Sequence, residues 1–236
     1  MKVLSIECSA TPCSVAIWCD GEIIASDFTN EKMTHSQTLM PMVKSVLKDS
    51  NTDIKNIECF AVSAGPGSFT GIRIGISAIK GMAAAKKVPC VPISTLRCMA
   101  ENYKDTNCIV CAVMDARCNQ VYNAIFKIDN GIITRLCDDR ALLCEELAIE
   151  IKDKYRDEKI VVVGDGAAVF YPFVEGYDNI LMSDGERRYQ NAVGVAFAAE
   201  ESIKNKFFLT PEELQPVYLR LPQAERELKR KKESER

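Results

Sequence analysis

The chain has 236 residues, a hydrophobic content of 47% and a formal net charge of −3. This length and composition allow a sizeable buried core, formed either by one large domain or by two small lobes. The slightly acidic balance excludes a general basic surface that would attract nucleic acid without help. The longest apolar runs, such as Ile109–Val113 and Ile160–Val163, are far too short to span a bilayer, so we expect no membrane segment.

The eleven cysteines indicate a reducing compartment. Their number is odd, the chain is large, and several of them, including Cys8, Cys59 and Cys98, fall in apolar strand or helix patterns. We interpret them as reduced thiols of the core. The sequence also passes from Met1-Lys2 directly into a strand pattern, without the regions of a secretory signal, so we expect a cytoplasmic protein.

The first half predicts a three-stranded meander followed by alternating helices and strands. Asp20-Gly21 joins two alternating runs and is typical of a type I′ hairpin turn. A glycine-rich turn separates the next buried strand from a second helix. The predicted elements are strands at 3–8, 14–19 and 22–28, a helix at 35–48, a strand at 59–63, a helix at 72–86, a strand at 89–93 and a helix at 95–103.

The second half repeats this order, with Asn130-Gly131 in the place of the hairpin dipeptide. Its predicted elements are strands at 109–114, 121–128 and 132–137, a helix at 144–155 and a strand at 159–163. The repeat predicts two similar α/β lobes, over residues 1–105 and 106–222, followed by a charged tail at 223–236. The tail mixes acids and bases, as a solvated terminal segment does. Two ribonuclease-H-like lobes, each with a mixed sheet flanked by helices, are the plan of the actin-like ATPase (ASKHA) superfamily, which is our predicted fold class.

A glycine-rich turn is the most distinctive segment of the chain. It reads Gly65-Pro66-Gly67-Ser68-Phe69-Thr70-Gly71-Ile72-Arg73-Ile74-Gly75 and opens the second predicted helix. A turn of this kind presents backbone amides at a helix N-terminus, which suits an anion or a tight connection between elements. It lacks the Gly-Lys-Ser/Thr of a Walker A loop and the glycine spacing of a dinucleotide fingerprint. From the pattern alone, structural turning and phosphate binding both remain open.

This turn resembles the hallmark of the TsaD/Kae-type glycoprotease superfamily. Other segments resemble the TsaB (YeaZ) branch of that superfamily, and they are His35-Ser36-Gln37, Asp115-Ala116-Arg117, Pro216-Val217-Tyr218-Leu219-Arg220 and Ala224-Glu225-Arg226. The resemblance implies a non-catalytic scaffold and activator of TsaD. Such a subunit is required for forming the threonylcarbamoyl group on the adenosine 3′ to the anticodon of tRNAs that read codons beginning with A.

The resemblance also implies a set of partners. They are TsaD in a heterodimer, the small ATPase TsaE, tRNA through the complex, and a second copy of the chain in a homodimer when TsaD is absent. ATP and metal would belong to the partner subunits, so we expect no cofactor in this chain.

The single histidine bears on the enzymatic alternatives. In the superfamily, TsaD binds its metal through two histidines four residues apart plus an acid, whereas the residue four positions after His35 is Leu39. This count disfavours a metallopeptidase, and we predict no catalytic and no metal-binding residues. An independent small-molecule kinase or ATPase of the actin-like fold remains the alternative. Its candidate residues are Glu7 and Asp115, which could face one another across a cleft around a magnesium-bound phosphate or could be solvated or capping acids.

The second predicted helix is apolar around more than half of its circumference, so more than one surface must cover it. Either the neighbouring helix at 35–48 or a second protein could cover its small-residue face, where glycine and alanine permit close approach. The resemblance implies that the first two helices pair with TsaD or with a second copy of the chain. The predicted interface residues are His35, Leu39, Gly71, Gly75, Ala78, Met82 and Ala85.

Overall fold

The computed structural model describes residues 1–220 and shows two sheets, each formed by one half of the chain. The first half contains, in chain order, strands β1 (Lys2–Glu7), β2 (Cys13–Cys19) and β3 (Glu22–Thr29), helix α1 (His35–Asp49), strand β4 (Cys59–Gly65), helix α2 (Phe69–Ala84), strand β5 (Cys90–Ser94) and helix α3 (Thr95–Glu101). The strand order is β3-β2-β1-β4-β5. The first three strands are antiparallel neighbours, whereas β4 and β5 run parallel to β1.

The second half repeats this topology. It contains strands β6 (Cys108–Arg117), β7 (Gln120–Asp129), β8 (Ile132–Arg135) and β9 (Arg140–Leu143), helix α4 (Cys144–Lys154), strand β10 (Ile160–Val163), helix α5 (Ala167–Phe170), strand β11 (Ile180–Met182) and helix α6 (Ala192–Lys204). Its strand order is β8-β7-β6-β10-β11, with the additional strand β9 paired to β7. Order and direction match those of the first sheet, so the predicted pair of ribonuclease-H-like lobes of the actin-like ATPase superfamily is confirmed.

Local signals placed most of these elements correctly. In both hairpin dipeptides the two residues have positive φ, +49° and +103° at Asp20-Gly21 and +48° and +77° at Asn130-Gly131, as type I′ turns require. Helix α2 begins at Phe69, three residues before the predicted start, because the Ser68 hydroxyl accepts a hydrogen bond from the Gly71 amide at 3.3 Å.

Some sequence predictions fall outside these observations. The charged tail at 223–236 and the Ala224-Glu225-Arg226 segment lie outside the described residues. The division of the chain between residues 105 and 106 stays a prediction. Within residues 1–220, no helix is long and apolar enough to cross a bilayer.

Helices α3 and α6 form the layer between the two sheets. Helix α6, from the end of the second half, packs on β1 and β2 of the first sheet, while α3, from the first half, packs on β6 and on α6. The N-terminus of α6 is fixed by two buried serines: Ser5 Oγ donates to the Ala192 carbonyl and the Ala192 amide donates to Ser14 Oγ, both at 2.7 Å. A single apolar cluster therefore joins the two lobes.

We expect the contact between α3 and α6 to tolerate no added side-chain atom at Gly194. A Cβ on this residue would lie 2.3 Å from the Cys98 carbonyl oxygen, so Gly194→Ala should lower the free energy of unfolding by about 1–3 kcal/mol. The matched control is Gly81→Ala on the outer face of α2, where a Cβ meets nothing within 4 Å and should stabilise the helix by about 0.5–1 kcal/mol. Urea unfolding measures both, and equal stability of the two variants would contradict this packing.

Candidate functional site at the interlobe cleft

A cleft of about 570 Å³ opens between the two lobes. Three of the segments singled out in the sequence line it: His35, the turn at Gly67, Ser68 and Phe69, and the segment Asp115-Ala116-Arg117. A fourth, at 216–220, reaches the same place, because Arg220 Nη1 donates to the Ala116 carbonyl at 2.8 Å. The segments that carry the family resemblance therefore converge on one site, although they are far apart in the chain.

The glycine-rich turn is a tight connection between β4 and α2. Gly65 has a φ of +128°, and a Cβ there would lie 2.2 Å from the Val217 carbonyl oxygen. The Ser68 amide donates to the Ser9 carbonyl at 2.6 Å, so this amide is occupied within the chain. Pro66 is buried and Thr70 is exposed on the first turn of the helix. These contacts favour the structural interpretation of the turn over phosphate binding.

Glu7 lies at the end of β1, beneath the cleft, and is fully buried. Its Oε1 accepts hydrogen bonds from the amide and the hydroxyl of Ser9, both at 2.6 Å, while Oε2 has no partner among the described residues. Burial raises the pKa of Glu7 to about 7, and the nearby Ser63 and Ser9 side chains oppose this only in part. The carboxyl group is therefore substantially protonated near neutral pH.

Asp165 is the charged residue that, together with burial, raises the pKa of Glu7, and it was not identified from the sequence as a site residue. It follows β10 in Gly164-Asp165-Gly166, lines the cleft, and accepts a hydrogen bond from Gln190 Nε2 at 3.4 Å. Burial raises the pKa of Asp165 to about 6. Its negative charge in turn contributes to the raised pKa of Glu7. The signal that could have found it was a lone acid between two glycines at the end of a buried strand.

Asp115, the other predicted candidate, lines the cleft but is engaged by its own turn. Its Oδ1 accepts from the Arg117 amide at 2.7 Å, and its Oδ2 accepts from Arg117 Nη1 at 3.1 Å. This is the capping interpretation that the sequence left open. In the part of the chain that the structure describes, no group of three His, Cys, Asp or Glu residues is arranged to hold a metal ion.

His35 is half-buried at the start of α1 and is used for packing. Its Nε2 lies 2.6 Å from the Ala10 carbonyl oxygen, which can only accept, so this nitrogen carries the proton. The imidazole therefore connects α1 to the loop after β1.

The segment at 209–220, which we name the C-terminal strap, contacts residues of the cleft lining through Tyr218 and Arg220. The Tyr218 ring stacks on Phe69, with ring centroids 4.2 Å apart and an interplanar angle of 16°. The Tyr218 hydroxyl accepts from Arg73 Nε at 2.7 Å. The three residues Phe69, Arg73 and Tyr218 thus join the first turns of α2 to the strap.

The predicted partner interface requires a correction at three positions. Leu39 is only 1% exposed, and both Gly71 and Gly75 face inward. A Cβ on Gly71 would lie 2.1 Å from the Cys8 carbonyl oxygen, and one on Gly75 would lie 2.7 Å from Cys8 Sγ. The two glycines bring α2 close to the loop after β1, and Leu39 of α1 packs in the core of the first lobe, so all three residues belong to the lobe interior and do not lie on the surface offered to a partner.

The remaining predicted interface residues lie on the outer side of the lobe. Ala78 and Met82 are partly buried and Ala85 is exposed, while His35 is half-buried. Gly81 of α2 is exposed, and the side chain of Met40 on the neighbouring helix α1 is 42% exposed. We name Met40, Ala78, Gly81, Met82 and Ala85 the outer helix face; its use as an interface stays a prediction.

We expect the buried Glu7 to make stability depend on pH. Its pKa is raised on folding, so its contribution is complete below the unfolded pKa of about 4.5 and is lost as the pH rises through about 7. Glu7→Gln should therefore flatten the fall in unfolding free energy between pH 5 and pH 8, and should be more stable than the wild type at pH 8, by up to about 3 kcal/mol.

Urea unfolding at several pH values measures this effect, with the exposed Glu31→Gln as the matched control. A Glu7→Gln profile with the same pH slope as the control would show that Glu7 is ionised in the folded protein.

Known proteins match the chain over nearly its full length. The family model described as TsaD, tRNA N6-adenosine threonylcarbamoyltransferase, matches residues 22–226. The tRNA threonylcarbamoyladenosine biosynthesis protein TsaB of Escherichia coli (strain K12) is 33% identical over 222 residues, which cover 93% of this chain and 95% of that protein.

Two solved structures share the fold. One is YeaZ from Pseudomonas aeruginosa, with a TM-score of 0.78 and 26% identity over 92% of this chain and 99% of that one. The other is an uncharacterized protein with similarity to peptidase YEAZ from Pseudomonas aeruginosa, with a TM-score of 0.81 and 25% identity over 93% of this chain and 99% of that one. The chain therefore belongs to the TsaB family, within the wider superfamily that the TsaD model describes.

Proposed function

We propose that this chain takes part in forming threonylcarbamoyladenosine in tRNA, as a non-catalytic scaffold and activator of TsaD. The observation that carries the proposal is the similarity over 93% of the chain to a protein named for threonylcarbamoyladenosine biosynthesis. The match includes both lobes, so the relationship concerns the whole architecture and is not limited to one motif.

The chemistry of the cleft supports a non-catalytic role. Glu7 is fully buried, its pKa is raised to about 7 so that it is only partly ionised at neutral pH, and Asp115 is paired with Arg117. His35 donates its ring proton to a backbone carbonyl. A phosphate-bound magnesium ion needs accessible carboxylate oxygens. Glu7 is inaccessible, and both Asp115 oxygens already accept hydrogen bonds from Arg117, so Asp115 would have to give up these contacts to bind the ion.

The outer helix face supports the partner role. Its small residues Ala78, Gly81 and Ala85 leave one part of the α2 surface without bulky side chains, and Met40 and Met82 add adaptable apolar contacts. A helix of TsaD could approach this face closely. The same face could pair two copies of the chain when TsaD is absent, because a two-fold dimer uses one surface twice.

The remaining parts of the reaction fall to other subunits in this proposal. TsaD and TsaE bind the metal and ATP, and tRNA is reached through the assembled complex. In this proposal the chain is cytoplasmic, where tRNA is modified.

Reconstitution tests the overall role. A mixture of TsaD, TsaE, the adenylate-forming synthetase, threonine, bicarbonate, ATP and tRNA should form threonylcarbamoyladenosine only when this chain is added. The chain alone should hydrolyse neither ATP nor a peptide. Modification at the same rate without the chain would contradict the scaffold role, and ATP turnover by the chain alone would favour an independent enzyme.

A substitution on the outer helix face tests the docking surface. Ala78→Arg places a long charged side chain between the partners, so we expect loss of co-purification with TsaD and at least about a tenfold loss of affinity. The matched control is Ile149→Arg on α4 of the second lobe, a position that is 70% exposed and outside this face. Equal affinity of both variants for TsaD, measured by calorimetry, would place the interface elsewhere.

A further inference from the structure

The C-terminal strap is firmly attached to the first lobe along most of its length. Leu209 and Cys90 exchange backbone hydrogen bonds at 2.8 and 2.9 Å, which extends the β5 edge of the first sheet. Leu214 is fully buried in the core of the first lobe. The Val217 amide donates to the Ala64 carbonyl at 2.7 Å, beside the turn that leads into α2. The strap therefore moves with the first lobe.

The end of the strap is attached to the second lobe. Arg220 Nη1 donates to the carbonyl of Ala116, which is 104 residues away in the sequence and lies at the end of β6, just before the β6–β7 turn. Leu219 packs against the apolar cluster that joins the two lobes. Between Tyr218 and Arg220, the strap thus passes from the first lobe to the second beside the cleft.

The turn next to the Arg220 contact has an unfavourable backbone conformation. The three consecutive residues Arg117, Cys118 and Asn119 have φ values of +67°, +56° and +54°. Each non-glycine residue in this region costs on the order of 1–2 kcal/mol, and the cost is smaller for asparagine. A conformation of this kind persists where surrounding contacts impose it. Within the turn, the Asp115 carboxylate accepts from the Arg117 amide and the Cys144 amide donates to the Asn119 carbonyl at 3.0 Å, while the Arg220 guanidinium holds the adjoining Ala116 carbonyl.

The strap also holds the helix that carries the outer helix face. Tyr218 stacks on Phe69, the first residue of α2, and its hydroxyl accepts from Arg73 one turn later. A shift of α2 against its sheet would move the Tyr218 ring. Through Arg220, two residues further on, it would also move the Ala116 carbonyl.

We propose that Tyr218 and Arg220 are positioning residues that couple the outer helix face to the β6–β7 turn, so that docking of a partner on α2 orders the cleft wall of the second lobe. This inference rests on the proposed function, which supplies TsaD as the partner. Coupling between two sites is reciprocal for binding free energies, so an ordered turn also strengthens docking. Neither residue needs to touch the reacting groups.

Hydrogen exchange followed by mass spectrometry on the full chain, alone and with TsaD, tests the coupling. In the wild type we expect TsaD to slow exchange both on α2 and, at least about fivefold, at the turn amides of residues 114–121. Arg220→Ala should abolish the protection at the turn while retaining protection on α2, and it should weaken TsaD binding by a similar factor. Tyr218→Ala cuts the same connection at its other end and should give the same pattern.

The matched control is Lys80→Ala, which removes a bond from α2 to the strap at the Glu212 carbonyl, 3.3 Å long, without touching the second lobe. This variant should keep the protection at the turn. Turn protection that survives in Arg220→Ala or Tyr218→Ala, or that is missing from the wild-type complex, overturns the coupling while leaving the docking surface valid. Missing protection on α2 itself would instead overturn the docking surface and, with it, the coupling.

Discussion

The close approach of α2 to the loop after β1 is the contact on which the rest of the molecule depends. Gly71 and Gly75 leave no side chain between the helix and Cys8, so the helix axis lies nearer to the sheet than any larger residue would allow. The same loop accepts the imidazole of His35 through the Ala10 carbonyl. Helices α1 and α2 and one wall of the cleft are thereby attached to a single loop, which fixes their positions relative to one another.

The electrostatics of the cleft are dominated by two acids with raised pKa values, Glu7 and Asp165. Glu7 is fully buried, and its pKa is raised by burial and also by the negative charge of Asp165, whose own pKa is raised mainly by burial. A phosphate brought to this floor would add further negative charge to a site whose carboxyl groups are poorly solvated. The exposed cations at the rim include Arg117, whose charge is partly used by Asp115. Asp115 and Arg117 thus stabilise the turn that they share.

Much of the fold was predictable because its signals are local. The Asp20-Gly21 and Asn130-Gly131 dipeptides fix the hairpins, and the same spacing in both halves reveals the repeat. Helix α6 escaped prediction because it lies between a sheet and another helix, so apolar residues occupy several of its faces and the period of 3.6 is blurred.

The site was less predictable than the fold, for a different reason. Periodicity shows that one face of a helix is rich in small residues, but it does not show what covers that face. Gly71 and Gly75 approach the chain's own loop, whereas on the same stripe Ala78 is only partly buried and Ala85 is exposed. The raised pKa of Asp165 results from burial, and burial depends on tertiary contacts that a single sequence does not display.

The layer of α3 and α6 between the sheets has a consequence for synthesis on the ribosome. The helix that covers β1 and β2 is the last element of the described chain to be made, because α6 ends at Lys204. Until it emerges, the first lobe exposes the apolar face on which α6 packs, and Ser5 and Ser14 lack their partner Ala192. The first lobe is synthesised first, but its core is completed only when α6 has been made. Its uncovered apolar face is exposed to aggregation while translation continues.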